Sequence, residues 1–327
     1  MTVLVTGGSG FIGSHVLERL RAHGHRVRNF DLVPPAHAEG RTFETVLGDL
    51  GDPAAVRAAL DGCDAVVHLA AVADVDEVAK DPARADRVNV HGTQTLLDTA
   101  RTAGIARFVY ASTVWVYGDA VGPQPLDENA PLALPRHFYT ATKIAGELYA
   151  ASYGQLYGLA YTILRFGIPY GPRSRPTAVV AAFAANALAG RPLTIAGDGT
   201  QSRRFVYVED LAEGVVAALA PTAANRVYNL VGRENVSVRS IARTVRELVG
   251  DVPIRHVEGR PGDLRGANIS GARALAELGW EPTTPFAEGV RRYITWLTET
   301  AGTPSAAIAS STDGSAAAVR RHESAEL

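Results

Sequence analysis

The chain opens on a short apolar run, Met1 to Thr6, that leads directly into Gly7-Gly8-Ser9-Gly10-Phe11-Ile12-Gly13. An apolar run of this length, bounded by glycine, reads as a buried strand. Apolar residues then recur at helical spacing, at Ile12, Val16, Leu17 and Leu20, and predict a helix over Phe11 to Ala22. Gly7, Gly10 and Gly13 lie in the junction. Glycine permits the tight turn and lets the backbone approach a ligand closely. The helix start behind it offers unpaired N–H groups and the positive end of the helix dipole, which together favour a phosphate.

The same alternation continues. Strands are predicted at 26–32, 43–47, 65–71, 108–112 and 161–166, and helices at 53–60, 82–103 and 137–157. Strands alternating with helices, with apolar runs as continuous as Val66-Val67-His68-Leu69-Ala70-Ala71, predict a doubly wound parallel α/β sheet covered on both faces. Beyond Phe166 the pattern becomes irregular. Helices are predicted at 177–189, from near 209, at 237–249 with Ser237 as N-cap, and at 285–297, with short strands at 193–196 and 205–208. This predicts a first domain over 1–166, to which a segment near 205–232 returns. A second, smaller α/β substrate-binding domain is predicted over 167–204 and 233–299. Residues 300–327, small, polar and without periodicity, predict a disordered tail.

Composition narrows the partners. The 327 residues are 46% hydrophobic and 20% charged, with a formal net charge of −2, which gives no reason to expect nucleic acid or an anionic membrane surface. No stretch approaches the length of a membrane span, and the apolar start is too short for a signal peptide, so a soluble cytoplasmic protein is expected. The one cysteine, Cys63, allows no intrachain disulfide, and no metal site is expected. Lysine occurs only at Lys80 and Lys143.

A glycine trio in this strand–turn–helix setting is the dinucleotide fingerprint of a Rossmann sheet. Its contacts are expected from Gly7, Gly10, Phe11, Ile12 and Gly13. Asp31 ends the second strand, where a carboxylate accepts hydrogen bonds from a ribose diol and repels a 2′-phosphate; the cofactor expected is NAD. Asp49 and Leu50, after the third strand, are expected at the adenine. Leu69, Ala70 and Ala71, after the fourth, are small enough to let the cofactor lie close. His68 reads as packed rather than catalytic. Asn89, on the predicted long helix, reads either as a buried hydrogen-bonding residue of the cofactor site or as a polar position on the helix face.

Tyr139 and Lys143 stand at i and i+4 on a predicted helix and share a face. Both are also expected at the cofactor, with Lys143 placed to hydrogen-bond the nicotinamide ribose. A phenol is a poor base at neutral pH. An ammonium nearby and the positive ring of an oxidised nicotinamide are expected to lower its pKa, so that it moves a proton on or off a hydroxyl during hydride transfer. Thr113, at the end of a predicted strand, is placed to orient the same substrate oxygen.

These segments together, with Asn89-Val-His-Gly-Thr93, Val116-Tyr-Gly118, Tyr139-Thr-Ala-Thr-Lys143 and Arg203-Arg-Phe-Val-Tyr-Val-Glu-Asp-Leu211, resemble the extended short-chain dehydrogenase/reductases of the NAD-dependent epimerase/dehydratase family over about residues 1–299. The resemblance implies a nucleoside-diphosphate sugar as substrate, UDP- or dTDP-linked, with Arg203, Arg260 and Asp263 in its site and Arg173 and Arg265 as weaker matches. It also implies a homodimer through the helices near 82–103 and 137–157. Dehydratases and decarboxylases of the family carry acids directly after the hydroxyl residue. Here Val114 and Trp115 follow Thr113 and cannot protonate a leaving hydroxyl. That leaves 4-epimerisation, the leading expectation, or reduction of a 4-keto deoxysugar. A regulatory binding protein on the same scaffold would not need both Tyr139 and Lys143. Two departures bear on the substrate: Ile168 stands where the family usually has an asparagine, and the loop after Arg260-Pro-Gly-Asp263 is shorter than is typical, reaching Ala267-Asn268-Ile269-Ser270 early.

Overall fold

The computed structural model describes residues 1–37, 40–119, 124–259, 266 and 268–301. In chain order its first half runs β1 (Thr2–Thr6), α1 (Phe11–Ala22), β2 (Arg26–Asp31), β3 (Glu44–Leu47), α2 (Pro53–Leu60), β4 (Ala65–His68), α3 (Val75–Lys80), α4 (Pro82–Asp86), α5 (Gly92–Thr102), β5 (Arg107–Thr113) and α6 (Phe138–Tyr157). The second half runs β6 (Ala160–Phe166), β7 (Ile168–Tyr170), α7 (Val179–Leu188), β8 (Leu193–Ala196), β9 (Ser202–Tyr207), α8 (Val208–Ala217), β10 (Arg226–Leu230), β11 (Asn235–Ser237), α9 (Val238–Val249), β12 (Ile254–Val257), α10 (Ala272–Leu278) and α11 (Phe286–Ala301).

Seven strands form one sheet in the order β10-β6-β5-β4-β1-β2-β3, every neighbouring pair parallel. The register sets Val5 beside Asn29 on β2 and beside Val67 on β4. β1 shows why the sheet is covered on both sides. Val3 and Val5 pack into a core with Leu17, Leu164 and Val215, while Leu4 between them packs into another with Phe30, Leu97 and Phe108. All three β1 side chains are fully buried. Each contributes about 1.5–3 kcal/mol in transfer free energy. The chain reverses direction across the sheet between β1 and β4, and the strand ends there open a crevice for a ligand.

The remaining strands make a three-stranded sheet, β11-β9-β7, and a pair, β12-β8. They share a core with α7, α9 and α11 through Phe183, Phe205, Ile241, Val245 and Tyr293. Ser237 caps α9 through a bond from Ser240 N to its hydroxyl, at 3.1 Å. In the returning segment, β9 lies in the small sheet, whereas α8 packs on α1 and β10 joins the large sheet.

The predicted single helix over 82–103 is corrected. α4 and α5 are separated by a π turn over Arg87–His91. The wider turn carries Asn89 inward, where its amide bonds the backbone of Val72. Among the described residues no helix is long and apolar enough to cross a membrane. The predicted tail lies outside the described residues, apart from its first two positions, which complete α11.

Candidate active site

A cleft of about 1260 Å³ runs from the β1–α1 turn, past the ends of β4 and β5, to β7 and α7. It exceeds the ~300–1,000 Å³ of a site for one drug-sized ligand, as two ligands end to end require. Gly7, Gly10, Phe11, Ile12, Gly13, Asp31, Asp49, Leu50, Leu69, Ala70 and Ala71 line one part of it. Thr113, Trp115, Tyr139, Ile168 and Arg175 line another.

The turn is shaped for a dinucleotide. Gly7 has φ +73°, and a Cβ there would meet Ala70 N at 2.7 Å. A Cβ on Gly13 would meet the Gly7 carbonyl at 2.1 Å, which locks α1 against the turn. Gly10 caps α1 with no side-chain bond, and the first turn carries no acid, so the N–H groups and the dipole remain open to a pyrophosphate. Asp31 accepts from Ser9 N at 3.0 Å and from Val33 N at 3.3 Å. Each carboxylate oxygen keeps a second acceptor site, as a ribose diol needs. Replacing Asp31 by Ser is expected to weaken NAD binding about 10- to 100-fold, the loss of one or two charge-assisted bonds, and to improve the NADP/NAD affinity ratio. Titration calorimetry of the apoprotein with each cofactor measures both.

His68 lies behind this wall and carries a directed chain of bonds. Ala70 N donates to Thr6 Oγ1 at 3.3 Å, and that hydroxyl meets His68 Nδ1 at 2.7 Å. On the other side His68 Nε2 meets Thr93 Oγ1 at 2.9 Å, which donates to the Asn89 carbonyl at 2.6 Å. Because Thr93 donates onward, Nε2 carries the proton and Nδ1 accepts. Burial and then the charge of Lys143 push the imidazole down to about 3. The unfolded chain therefore binds more protons than the folded one between about pH 3 and 6.5. Stability conferred by neutral His68 is complete above 6.5 and is lost as pH falls. His68→Gln is expected to flatten the dependence of Tm on pH across that interval, read by calorimetry from pH 4 to 7.

Two expected contacts are placed differently. Asn89 does not line the cleft. Its Oδ1 accepts from Val72 N at 2.8 Å, and its Nδ2 donates to Val72 O and to Thr142 Oγ1. It shapes the wall and ties that wall to α6. Lys143 is buried beneath the cleft rather than on its surface, and its Nζ donates to the Ala111 carbonyl at 2.9 Å.

Tyr139, Lys143 and Glu147 form one face of α6 at successive turns, set against Thr113, Ala111 and Ser112 at the end of β5. Glu147, which the motif reading did not single out, is buried. It accepts from Ser112 Oγ at 2.5 Å and is held by Arg165 through Nε at 3.0 Å and Nη2 at 2.7 Å. Arg165 also donates to the Tyr117 hydroxyl, which donates to Asn229 Oδ1. The signal was present as a third residue in the i, i+4 series, an acid one helical turn beyond Lys143.

The expected lowering of the Tyr139 pKa is corrected for the chain by itself. Burial pushes the phenol up to about 12, and Arg175 opposes this only in part. Lys143 is pushed down to about 8 by burial, partly opposed by Glu147. The ammonium is engaged by a carbonyl and lies 5.9 Å from the Tyr139 ring centre, so the same dry surroundings that hold the pair disfavour both charges. Thr113 Oγ1 accepts from Trp115 N at 3.2 Å, which leaves its proton for an oxygen in the cleft. Arg203 lies outside the main cleft, beside a small cavity behind Trp115, and donates to the Ser202 carbonyl at 2.8 Å. Arg173 is bidentate to Glu18 on α1 at 2.7 and 2.8 Å. Arg260, Asp263 and Arg265 lie outside the described residues.

The sequence model of the NAD-dependent epimerase/dehydratase family matches residues 3–231. The chain belongs to this family. A UDP-glucose 4-epimerase of Mycolicibacterium smegmatis is 35% identical over 313 residues, covering 90% of this chain and 97% of its own length. The UDP-glucose 4-epimerase of Thermus thermophilus, solved with NAD, superposes with a TM-score of 0.84 at 35% identity, covering 91% of this chain and 99% of its own. That of Thermotoga maritima, solved with UDP-glucose, gives 0.86 at 30% identity over 92% and 100%. NAD is the cofactor of this epimerase/dehydratase family member, and the glycine turn, Asp31 and the small residues after β4 form a site that suits it. When bound in its oxidised form, NAD supplies a hydride acceptor and a positive ring charge of the kind a phenolate at Tyr139 needs.

Proposed function

We propose that the protein is a nucleotide-sugar 4-epimerase. The observation that carries this reading is the corner where Thr113 and Tyr139 line the same cleft as the dinucleotide turn, with apolar Val114 and Trp115 following Thr113. Thr113 donates to the C4 oxygen of the sugar and Tyr139 takes its proton. The 4-keto sugar turns within the cleft, and Tyr139 returns the proton once the other face of C4 has been reduced. A dehydratase needs in addition an acid for a leaving hydroxyl, and neither Val114 nor Trp115 supplies one. The β7–β9–β11 unit and α7 take the nucleoside diphosphate, with UDP or dTDP as the nucleotide; the family resemblance supports Arg203, Arg260 and Asp263 as residues that bind it.

A homodimer fits the outer face of α6. Ala141, Ala145, Leu148, Ser152 and Leu156 form one stripe along it, and Leu148 and Leu156 are 58% and 71% exposed. Together with α5 this stripe offers a small-residue seam for the same helices of a second copy. Nothing in the reaction requires a membrane, which fits a cytoplasmic enzyme.

The purified protein is to be incubated with UDP-, dTDP- and GDP-sugars, following epimers by chromatography and reduced cofactor by absorbance. The expected result is C4 epimers with no net change in cofactor. Stoichiometric consumption of added reduced cofactor by a 4-keto sugar, without epimers, would assign a reductase instead.

A further inference from the structure

We propose that Trp115 selects the sugar, admitting one with only hydrogen or methyl on C5, a nucleotide-linked pentose or 6-deoxyhexose. The inference rests on the epimerase reading above and deepens it. Thr113 and Tyr139 place the reacting carbon. Trp115 stands next to it, its ring edge-on to that of Tyr139 at 6.1 Å and 86° and tilted against His137 at 6.0 Å. The indole lines the main cleft, yet its one hydrogen-bonding atom does not serve it. Among the described residues Nε1 is buried without a partner, and Trp115 also borders a second cavity of about 20 Å³ that it shares with Asp119 and Arg204. Asp119 Oδ1 and Arg204 Nε are likewise buried and have no partner among the described residues. The buried nitrogen offers nothing to a ligand, so the face that the indole presents to the cleft is hydrocarbon. Ile168 borders both cavities and extends that surface.

C4 has two neighbours in the ring. C3 carries a hydroxyl in pentoses, hexoses and 6-deoxyhexoses alike, and facing it to an indole and an isoleucine would strip it of partners. Turning the ring to present the other face of C4 exchanges the C3 and C5 sides, so the C5 substituent faces Trp115 in one of the two orientations and the C3 hydroxyl, a cost common to all these sugars, in the other. A hydroxymethyl group on C5 loses its water without replacement. A carboxylate fares worse, because Arg175, the cation of this region whose charge reaches Tyr139, is already paired with Asp74 at 2.7 Å and is more than half exposed.

The test uses the full-length protein loaded with NAD and compares UDP-xylose with UDP-glucose, which differ only at C5, adding UDP-glucuronate as the charged case. The parent is expected to favour UDP-xylose in kcat/KM by about 100-fold, the scale on which an apolar pocket rejects an added hydroxyl. Trp115→Ala is expected to narrow the ratio below about 10-fold by gaining on UDP-glucose, while Trp115→Phe preserves the preference; NAD content and melting temperature report whether each variant is folded. A parent that favours UDP-glucose or UDP-glucuronate, or a ratio unchanged in folded Trp115→Ala, overturns the role of Trp115 and leaves the epimerase reading standing. A parent that epimerises no sugar overturns both.

Discussion

Tyr139→Phe is expected to lower kcat by about 10²- to 10⁴-fold, the usual scale of a lost general acid–base group, with NAD content unchanged. The substitution removes one oxygen and keeps the ring, whose edge-on packing against Trp115 survives. Among the described side chains that line this corner of the cleft or lie directly beneath it, none can take over. The Thr113 hydroxyl is too weak an acid or base, and Lys143 is committed to the Ala111 carbonyl. His68 has both ring nitrogens bonded and is pushed down to about 3, where it is neutral and inert at working pH. The pH dependence follows from the same environment. Because burial pushes Tyr139 up, the phenolate that starts sugar oxidation is the minor form near neutrality, so the parent rate should climb with pH on the alkaline side of neutrality. In Tyr139→Phe that climb should vanish. Single-turnover rates between pH 6 and 9 measure both effects, and a variant within threefold of the parent would remove Tyr139 from the mechanism.

The parts of the molecule legible in sequence are those written locally. β1, the glycine turn and α1 are contiguous, and their periodicity and glycine spacing state both the elements and the ligand chemistry. Tyr139 and Lys143 are a helical turn apart, so their common face follows from geometry alone. What the sequence does not write locally is where a side chain's bonds go after packing. Asn89 has the composition of a cofactor contact, but a π turn rotates it onto Val72, and periodicity does not register one extra residue in a turn. The depth of Lys143, and hence its downward shift, depends on α6 lying across the end of β5, a contact between distant segments. The same holds for Trp115, whose indole packs against the rings of His137 and Tyr139. Arg165, which lies within the strand predicted over 161–166, acquires its meaning from Glu147 on the neighbouring helix.

That Glu147–Arg165 pair carries the second large effect. Glu147→Gln preserves shape and removes a charge, leaving a guanidinium that is 5% exposed without its counter-ion and Ser112 without its carboxylate. Breaking one partner of a buried pair costs about 3–5 kcal/mol, because the other charge remains in a dry site. Removing both charges does not leave that penalty, so Glu147→Leu combined with Arg165→Met should be destabilised less than Glu147→Gln, although the hydroxyls of Ser112 and Tyr117 then lose partners. Urea unfolding of the three proteins decides this, and a single variant within about 1 kcal/mol of the parent, or a double variant at least as unstable as the single, would refute it. A catalytic signature separates this pair from ordinary packing. The Glu147 carboxylate opposes the burial that pushes Lys143 down to about 8. Without it the ammonium is held less firmly and deprotonates at lower pH. In Glu147→Gln protein that remains folded, the climb in rate with pH should therefore level off at lower pH than in the parent, whereas a purely structural defect would lower the profile without moving it.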